Sequence, residues 1–359
     1  MNAEVLEAYI RQRLAAQPVG EVDIAWQGGE PTLMGLDFFQ HSLELVKKYQ
    51  KPEQQVAYSL QTNGTLLDDA WCRFFRQDKF LVGLSLDGPA EIHDAYRVSQ
   101  VGMGSFAKAR RGYELLKEYG VETNILCAVH AANASRPLET YRFFRDTLRA
   151  QFIQFIPIVE RGCGKVVESE GKGIKAGPGL VSLHSVQAEE YGAFLSQIFD
   201  EWASRDVGKV FIQNFETALA SWCGLPASVC AFQEVCGRSL VLEHNGDLYA
   251  CDHFVVPEYR LGNILERPLV DMVRSTQQTR FGLEKRDRLP TDCQKCGVLF
   301  ACHGECPRNR FLQTTDGEEG LNYLCPGYKL FFTHVKGPMQ HMAELLRQGR
   351  SASEIMRIL

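Results

Sequence analysis

The clearest chemical signal in this 359-residue sequence is the run Cys293-x₂-Cys296-x₅-Cys302-x₃-Cys306. Such short gaps let neighbouring thiolates converge on one metal centre at little cost in loop-closure entropy. Upstream, Cys236-x₉-Gly246-x₄-Cys251 places two cysteines across a hairpin whose turn is Asn245-Gly246. Cys230 precedes this pair and Cys325 follows the quartet, which makes eight cysteines, or two sets of four. Four thiolates suit a structural zinc or a [4Fe–4S] cluster, and spacing alone leaves both open. Cys72, Cys127, Cys163 and Cys223 stand apart from this pattern and read as buried, unliganded cysteines.

A second group of residues has the chemistry of a small-molecule site. Gln27-Gly28-Gly29-Glu30-Pro31 follows a short strand. Its glycines let a ligand approach the backbone, and Glu30 can offset an ammonium charge, although such a turn can also be purely structural. Asp252 follows Cys251 and can take a proton from a nearby thiol or hydroxyl, or simply form a turn. His253 reads as a locally packed residue. Gly102-x-Gly104 is not read as a nucleotide loop, because no strand runs directly into it.

These residues need a frame. Glu4–Ala15 sets Leu6, Tyr9, Ile10 and Leu14 on one helical face, and Val22–Trp26 alternates as a strand. Helices follow around Phe39–Val46, after Asp68 or Asp69 as cap, from Ser105 to about Tyr119, and over Leu138–Leu148. Between them lie strands at Val56–Leu60, Leu81–Leu86, Asn124–Val129 and Phe152–Val159, which gives five in all. Alternation of this kind predicts an α/β fold with a parallel sheet, and chemistry gathers at the carboxyl ends of such strands. Arg161–Ser185 reads as a surface insertion, and Ala188–Trp202 as a helix. Pro338 is expected to split Tyr328–Leu346 into two helices. Nine of the twelve cysteines fall between Cys223 and Cys325, so we divide the chain into 1–206 and 207–359.

Composition agrees with a globular protein: 45% hydrophobic, 23% charged, net charge −5, with no basic footprint for nucleic acid. No apolar run reaches the ~20 residues of a membrane span, and the start is not a signal peptide. A cytoplasmic location is expected, where twelve cysteines point to metal or redox chemistry rather than disulfides.

The cysteine pattern resembles the SPASM domain of radical S-adenosylmethionine (SAM) peptide-modifying enzymes. Within that family, Ala250-Cys251-Asp252-His253-Phe254 and Gly304-Glu305-Cys306-Pro307-Arg308-Asn309-Arg310-Phe311 resemble the anaerobic sulfatase-maturating enzymes. So do Gln27–Pro31, Ser85-Leu86-Asp87-Gly88-Pro89 and Ile92-His93-Asp94-x₂-Arg97, and the likeness runs from Ala3 to about Gln340. It implies a partial (β/α)₆ barrel lacking its first strand, a SPASM domain and C-terminal helices. It implies two auxiliary [4Fe–4S] clusters, one on Cys230, Cys236, Cys251 and Cys306, the other on Cys293, Cys296, Cys302 and Cys325. Gln27, Gly28, Gly29 and Glu30 would hold the methionyl end of SAM. Ser85 and Arg97 would contact it too, Arg97 facing the carboxylate, and Ile158 would line the adenine.

The reaction so implied is oxidation of a sulfatase cysteine or serine to Cα-formylglycine. A 5′-deoxyadenosyl radical removes a Cβ hydrogen, Asp252 serves as general base, and an auxiliary cluster accepts the second electron. The partners implied are a sulfatase polypeptide and an electron donor such as flavodoxin or ferredoxin, with no nucleic acid and no membrane. The sequence departs from the family in one respect. The radical-generating cluster needs Cys-x₃-Cys-x₂-Cys, and no such triplet occurs. The chain opens at what corresponds to the first barrel helix, so Met1 reads as an internal methionine of a longer protein or the start of a truncated copy. As written, it is not expected to cleave SAM. The alternatives are a maturase of another peptide and a non-catalytic Cys₄ metal-binding scaffold.

Overall fold

Apolar runs with a period of two alternate with runs of period 3.6 through the first half of the chain, and each becomes the element its period favours. The computed structural model describes residues 1–17, 20–162 and 180–358. Its first elements are α1 (Ala3–Ala16), β1 (Gly20–Trp26), α2 (Leu36–Tyr49), β2 (Gln54–Thr62), α3 (Asp69–Gln77) and β3 (Phe80–Ser85). Next come α4 (Phe106–Glu118), β4 (Thr123–Val129), α5 (Pro137–Arg142), β5 (Phe152–Pro157), α6 (Ala188–Arg205), β6 (Phe211–Ile212) and α7 (Gln213–Trp222). The six strands form one sheet in sequence order. Registers Val22↔Val56, Cys127↔Phe155 and Ile153↔Ile212 are parallel. The sheet therefore holds one strand more than the five that the pattern marks. The sixth, β6, is two residues long, too short to show alternation.

Local caps explain several boundaries. Asp68, not Asp69, caps α3 by accepting from the N–H groups of Ala70 and Trp71. Ser105 precedes α4 as expected, but the side-chain cap is Asp94, whose Oδ1 accepts from Phe106 N at 2.8 Å. Gly104 has no room for a side chain because the Asp94 carboxylate fills that space, so Gly102-x-Gly104 is explained by packing.

The C-terminal helices α9 (Cys325–His334) and α10 (Lys336–Arg347) break at Val335, not at Pro338. Proline is tolerated in the first turn of α10 because an amide there has no intrahelical partner to lose. The expected insertion Arg161–Ser185 lies largely outside the described residues, as does Cys163.

The chain divides into two compact units. The first comprises Met1–Gly83, Arg111–Thr123 and Val235–Asp287. There α1 is buried on two faces. Leu6, Ile10 and Leu14 pack with Val22, Ile24, Leu45 and Val46. Val5 and Ala8 pack with Leu248, Leu261, Ile264, Leu269 and Met272. These last residues belong to or flank a small antiparallel sheet of β7 (Val241–Leu242), β8 (Asp247–Tyr249) and β9 (Arg260–Asn263). Gln12 adds hydrogen bonds to Ile264 O and from Leu269 N. Asn245-Gly246 forms the expected β7–β8 turn, with Gly246 at φ +89°. α8 (Thr276–Asp287) closes this unit.

The second unit holds Leu84–Arg110, Asn124–Glu234 and Arg288–Leu359. In it α6 is fastened to α5 and the turn after it by Arg142 and Arg145, which bind the buried Glu201, and the Tyr141 hydroxyl donates at 2.7 Å to Asp206, the residue that caps the end of α6.

Candidate active site

In the first unit β1 ends in the loop Gln27–Glu30. Gly28 sits at φ +125°, a conformation that side-chain-bearing residues rarely adopt. A Cβ on Gly28 or Gly29 would meet nothing within 4 Å. No neighbour demands small residues here, and the open space beside the backbone fits a ligand lying across it. Glu30 does more than the sequence suggests. Its Oε1 accepts from Thr32 N, Thr32 Oγ1 and Thr62 Oγ1, and its Oε2 from Asn63 N at 2.8 Å. The carboxylate thus braces the end of β1 to the end of β2. Each carboxylate oxygen offers about two acceptor directions; Oε1 shares its own among three donors, and Oε2, with one donor, keeps one that can face an ammonium group.

The same unit brings Asp252 to this loop. Gln27 Nε2 donates to Asp252 Oδ2 at 3.3 Å, and the Cys251 thiol donates to Asp252 Oδ1 at 3.2 Å. Asp252 is exposed, and the ligand atoms of Cys251, Asp252 and His253 all lie within 4.8 Å of one another. Residues 225 positions apart in sequence therefore share one small polar cluster.

In the second unit Arg97 is held by a residue that no sequence pattern singles out. Asp87, 1% exposed, takes Arg97 Nε at 2.6 Å and Nη2 at 3.1 Å, together with Ala128 N at 2.9 Å. His130 Nε2 stands 3.6 Å from the same carboxylate, too far for an ordinary hydrogen bond but close enough to act on its charge. Burial by itself would raise the Asp87 carboxyl; His130, Arg97 and the Ala128 amide outweigh it and hold it below the usual carboxylate range. The Asp87 backbone is fixed as well. Its N–H donates to His93 Nδ1, and its carbonyl accepts from Asn133 Nδ2. With Nδ1 accepting, the His93 proton sits on Nε2, 3.0 Å from Ser105 Oγ, which in turn donates to Arg97 O.

Arg97 is thereby gripped at backbone and guanidinium, while Nη1 has no hydrogen-bond partner among the described residues. This pair is a half-buried bidentate clamp. Asp87, His93, His130 and Asn133 were missed as functional because buried polar residues give no sequence pattern of their own. Ser85 ends β3, half-buried and with no hydrogen-bond partner for its hydroxyl among the described residues, and Ile158 follows β5 with its N–H on Val129 O.

Of the eight cysteines, Cys236 and Cys251 lie in the first unit and the other six in the second. Cys293, Cys296, Cys302 and Cys325 line one cavity with Val298, Leu299, Asn322, Tyr328 and Lys329. Burial pushes the thiols of Cys293 and Cys302 up, the latter strongly, and Cys325 to about 11, with Lys329 opposing the rise in Cys325. Four thiols around one space, Cys293 buried and Cys296, Cys302 and Cys325 half-buried, form a donor set that gives up its protons when cationic metal compensates the thiolates. The set fits a Cys₄ centre. Cys306 is buried and Cys230 exposed.

Comparison with known proteins agrees with these features. Residues 1–144 match the model of the radical SAM superfamily, and residues 230–297 that of the SPASM iron–sulfur cluster-binding domain. The chain is 46% identical to the serine-type anaerobic sulfatase-maturating enzyme of Bacteroides thetaiotaomicron, over 100% of this chain and 86% of that protein. It is 34% identical to the cysteine-type enzyme of Clostridium perfringens, over 93% and 86%. The solved structure of native anSMEcpe with bound AdoMet and Cp18Cys peptide superposes with a TM-score of 0.85 at 33% identity, covering 96% of this chain and 92% of that one. This chain belongs to the anaerobic sulfatase-maturating enzyme family, protein-modifying oxidoreductases of the radical SAM superfamily that carry a SPASM domain.

Proposed function

We propose that this chain holds SAM and two auxiliary [4Fe–4S] clusters in an enzyme that oxidises a cysteine or serine of a sulfatase to Cα-formylglycine. The observation that carries this reading is the 3.3 Å contact between Gln27, in the ligand loop, and Asp252, beside a cluster cysteine. It supports a reading in which Asp252 is a proton acceptor beside the methionyl end of SAM. Bound SAM, with a reduced cluster, supplies hydrogen-abstracting radical chemistry. The chain's own residues orient SAM and move the substrate proton.

Gln27, Gly28 and Gly29 receive the methionyl backbone, and the remaining acceptor site of Glu30 faces its ammonium. Arg97 turns Nη1 to its carboxylate, held there by Asp87. Ser85 offers its hydroxyl, and Ile158 an apolar wall for the adenine. Asp252 accepts the proton of the substrate thiol or hydroxyl. Cys293, Cys296, Cys302 and Cys325 hold one auxiliary cluster, and Cys230, Cys236, Cys251 and Cys306 the other.

We assign residues 1–206 to the barrel and 207–359 to the SPASM part with its C-terminal helices, although β6 carries the sheet a few residues past that division. A small one-electron donor such as flavodoxin or ferredoxin is the expected reductant, and a cytoplasmic setting the expected place. Among the described residues no helix is long and apolar enough to cross a membrane.

The ligands of the radical-generating cluster are not among these 359 residues. The test therefore uses the protein with a Cys-x₃-Cys-x₂-Cys segment joined in frame ahead of Met1. Incubated anaerobically with SAM and a reductant, it should convert a sulfatase-derived peptide bearing cysteine or serine to an aldehyde that hydrazides capture. Turnover of SAM with both peptides left intact would defeat the reading.

A further inference from the structure

α8 buries an unusual face. Its buried residues are Gln278, Gly282 and Lys285, with no large apolar side chain among them. Gln278 is 3% exposed. Its Nε2 donates to Gly237 O at 3.0 Å and to Ala250 O at 3.2 Å. One amide group therefore ties together the two ends of the β7–β8 hairpin, and the two carbonyl oxygens lie no more than about 6 Å apart. Gly237 directly follows Cys236, and Ala250 directly precedes Cys251.

The helix touches the same place a second time. Cys236 N donates to Gly282 O at 3.0 Å. A Cβ on Gly282 would lie 2.7 Å from Cys236 O, so only glycine lets the helix come this near. Meanwhile Gln278 Oε1 is buried without a hydrogen-bond partner among the described residues. An unpaired buried acceptor costs stability, and a leucine or methionine would fill the volume without that cost. Local packing does not account for a glutamine here. The two carbonyls it clamps do.

We propose that Gln278 is the positioning residue of the auxiliary cluster that Cys236 and Cys251 help to ligate. Its amide holds the two cysteine-bearing segments side by side before metal arrives, so both sulfurs face one four-iron centre. Gly282 sets the distance of the helix from Cys236. The inference rests on the reading of Cys236 and Cys251 as ligands, and the experiment separates the two.

The whole chain is reconstituted anaerobically with ferrous iron and sulfide as wild type, Cys251→Ala, Gln278→Leu and Gln278→Glu. Iron per chain, the electron paramagnetic resonance spectrum after reduction and the midpoint potentials are measured, with circular dichroism as a check on folding. Wild type should hold about eight irons and give two signals. Cys251→Ala should drop to about four and lose one signal. Both Gln278 variants should lose that same signal or return it at a shifted potential, while the signal of the other cluster persists in a folded chain. Wild-type iron, spectrum and potentials in both Gln278 variants would overturn the proposal. So would loss of both clusters together, which marks a merely structural residue. Full iron and both signals in Cys251→Ala would instead remove the ligand reading on which the proposal stands.

Discussion

Gln27 Nε2 and Asp252 Oδ2 lie 3.3 Å apart, although 225 positions separate them in the chain. The contact exists because α1 is buried on both faces, against β1 and α2 on one and against residues around β8 and β9 on the other. The loop after β1 and the loop after β8 are thereby set in one frame.

From this follows the effect of Asp252→Asn in a protein that carries the radical-generating segment. Asparagine keeps the size but cannot take up a proton. Formylglycine formation should fall by a factor of about 10² to 10⁴, the usual range for a lost general base. Iron content and SAM binding should be unchanged. Unaltered product formation would remove Asp252 from the chemistry, and loss of iron would give it a structural role.

The cavity lined by Cys293, Cys296, Cys302 and Cys325 predicts a pH-dependent metal site. Burial holds the Cys302 and Cys325 thiols protonated, so metal must displace protons to bind. Affinity should fall as the pH is lowered from about 8 to about 6, read by competition with a chelator. Cys302→Ala should leave about four irons of eight. Stoichiometric zinc without charge-transfer absorbance would favour the scaffold alternative.

Arg97→Leu leaves the buried Asp87 carboxylate without its bidentate partner. Breaking a buried pair on one side costs about 3 to 5 kcal/mol, and the solvent-facing edge of Arg97 sets this case near the lower figure. SAM affinity should fall in the same variant, measured by equilibrium dialysis on protein with the complete cluster set. A large loss of stability with unchanged SAM affinity would confine Arg97 to a structural role.

His93 gives a stability change with a defined pH window. Burial holds its pKa down at about 4, against about 6.5 when unfolded. Between those values the unfolded chain binds a proton that the folded chain does not. The stability His93 contributes is therefore present above about pH 6.5 and lost as the pH falls toward 4, by at most about 3 kcal/mol. His93→Gln keeps an acceptor for Asp87 N and a donor for Ser105 Oγ without the titration. Denaturant unfolding at a series of pH values should show a flatter acid limb in that variant, and an identical limb would refute the assignment.

The positions of five sheet strands and of the helices between them were legible in the sequence, because each carries a full period of its element. So was the hairpin turn at Asn245-Gly246, since Gly246 supplies the positive φ the turn needs. The cysteine spacing was legible for a similar reason: short gaps confine where sulfurs can go whatever the surroundings. β6 was not legible, because two residues make no pattern and only a neighbouring strand makes them a strand. The cap by Asp94 and the break before Pro338 depended on which groups lay unpaired in the folded chain.

By itself, then, the sequence determined the kinds of chemistry present: thiol sets, a glycine loop and an acid beside a cysteine. All of these follow from residue type and short spacing. Only the tertiary structure decided that Asp87, buried and unremarked, grips Arg97, that Glu30 braces two strand ends, and that Gln27 meets Asp252. These depend on non-local packing, in which buried polar groups must find partners wherever the fold brings them, and no local pattern encodes where that will be.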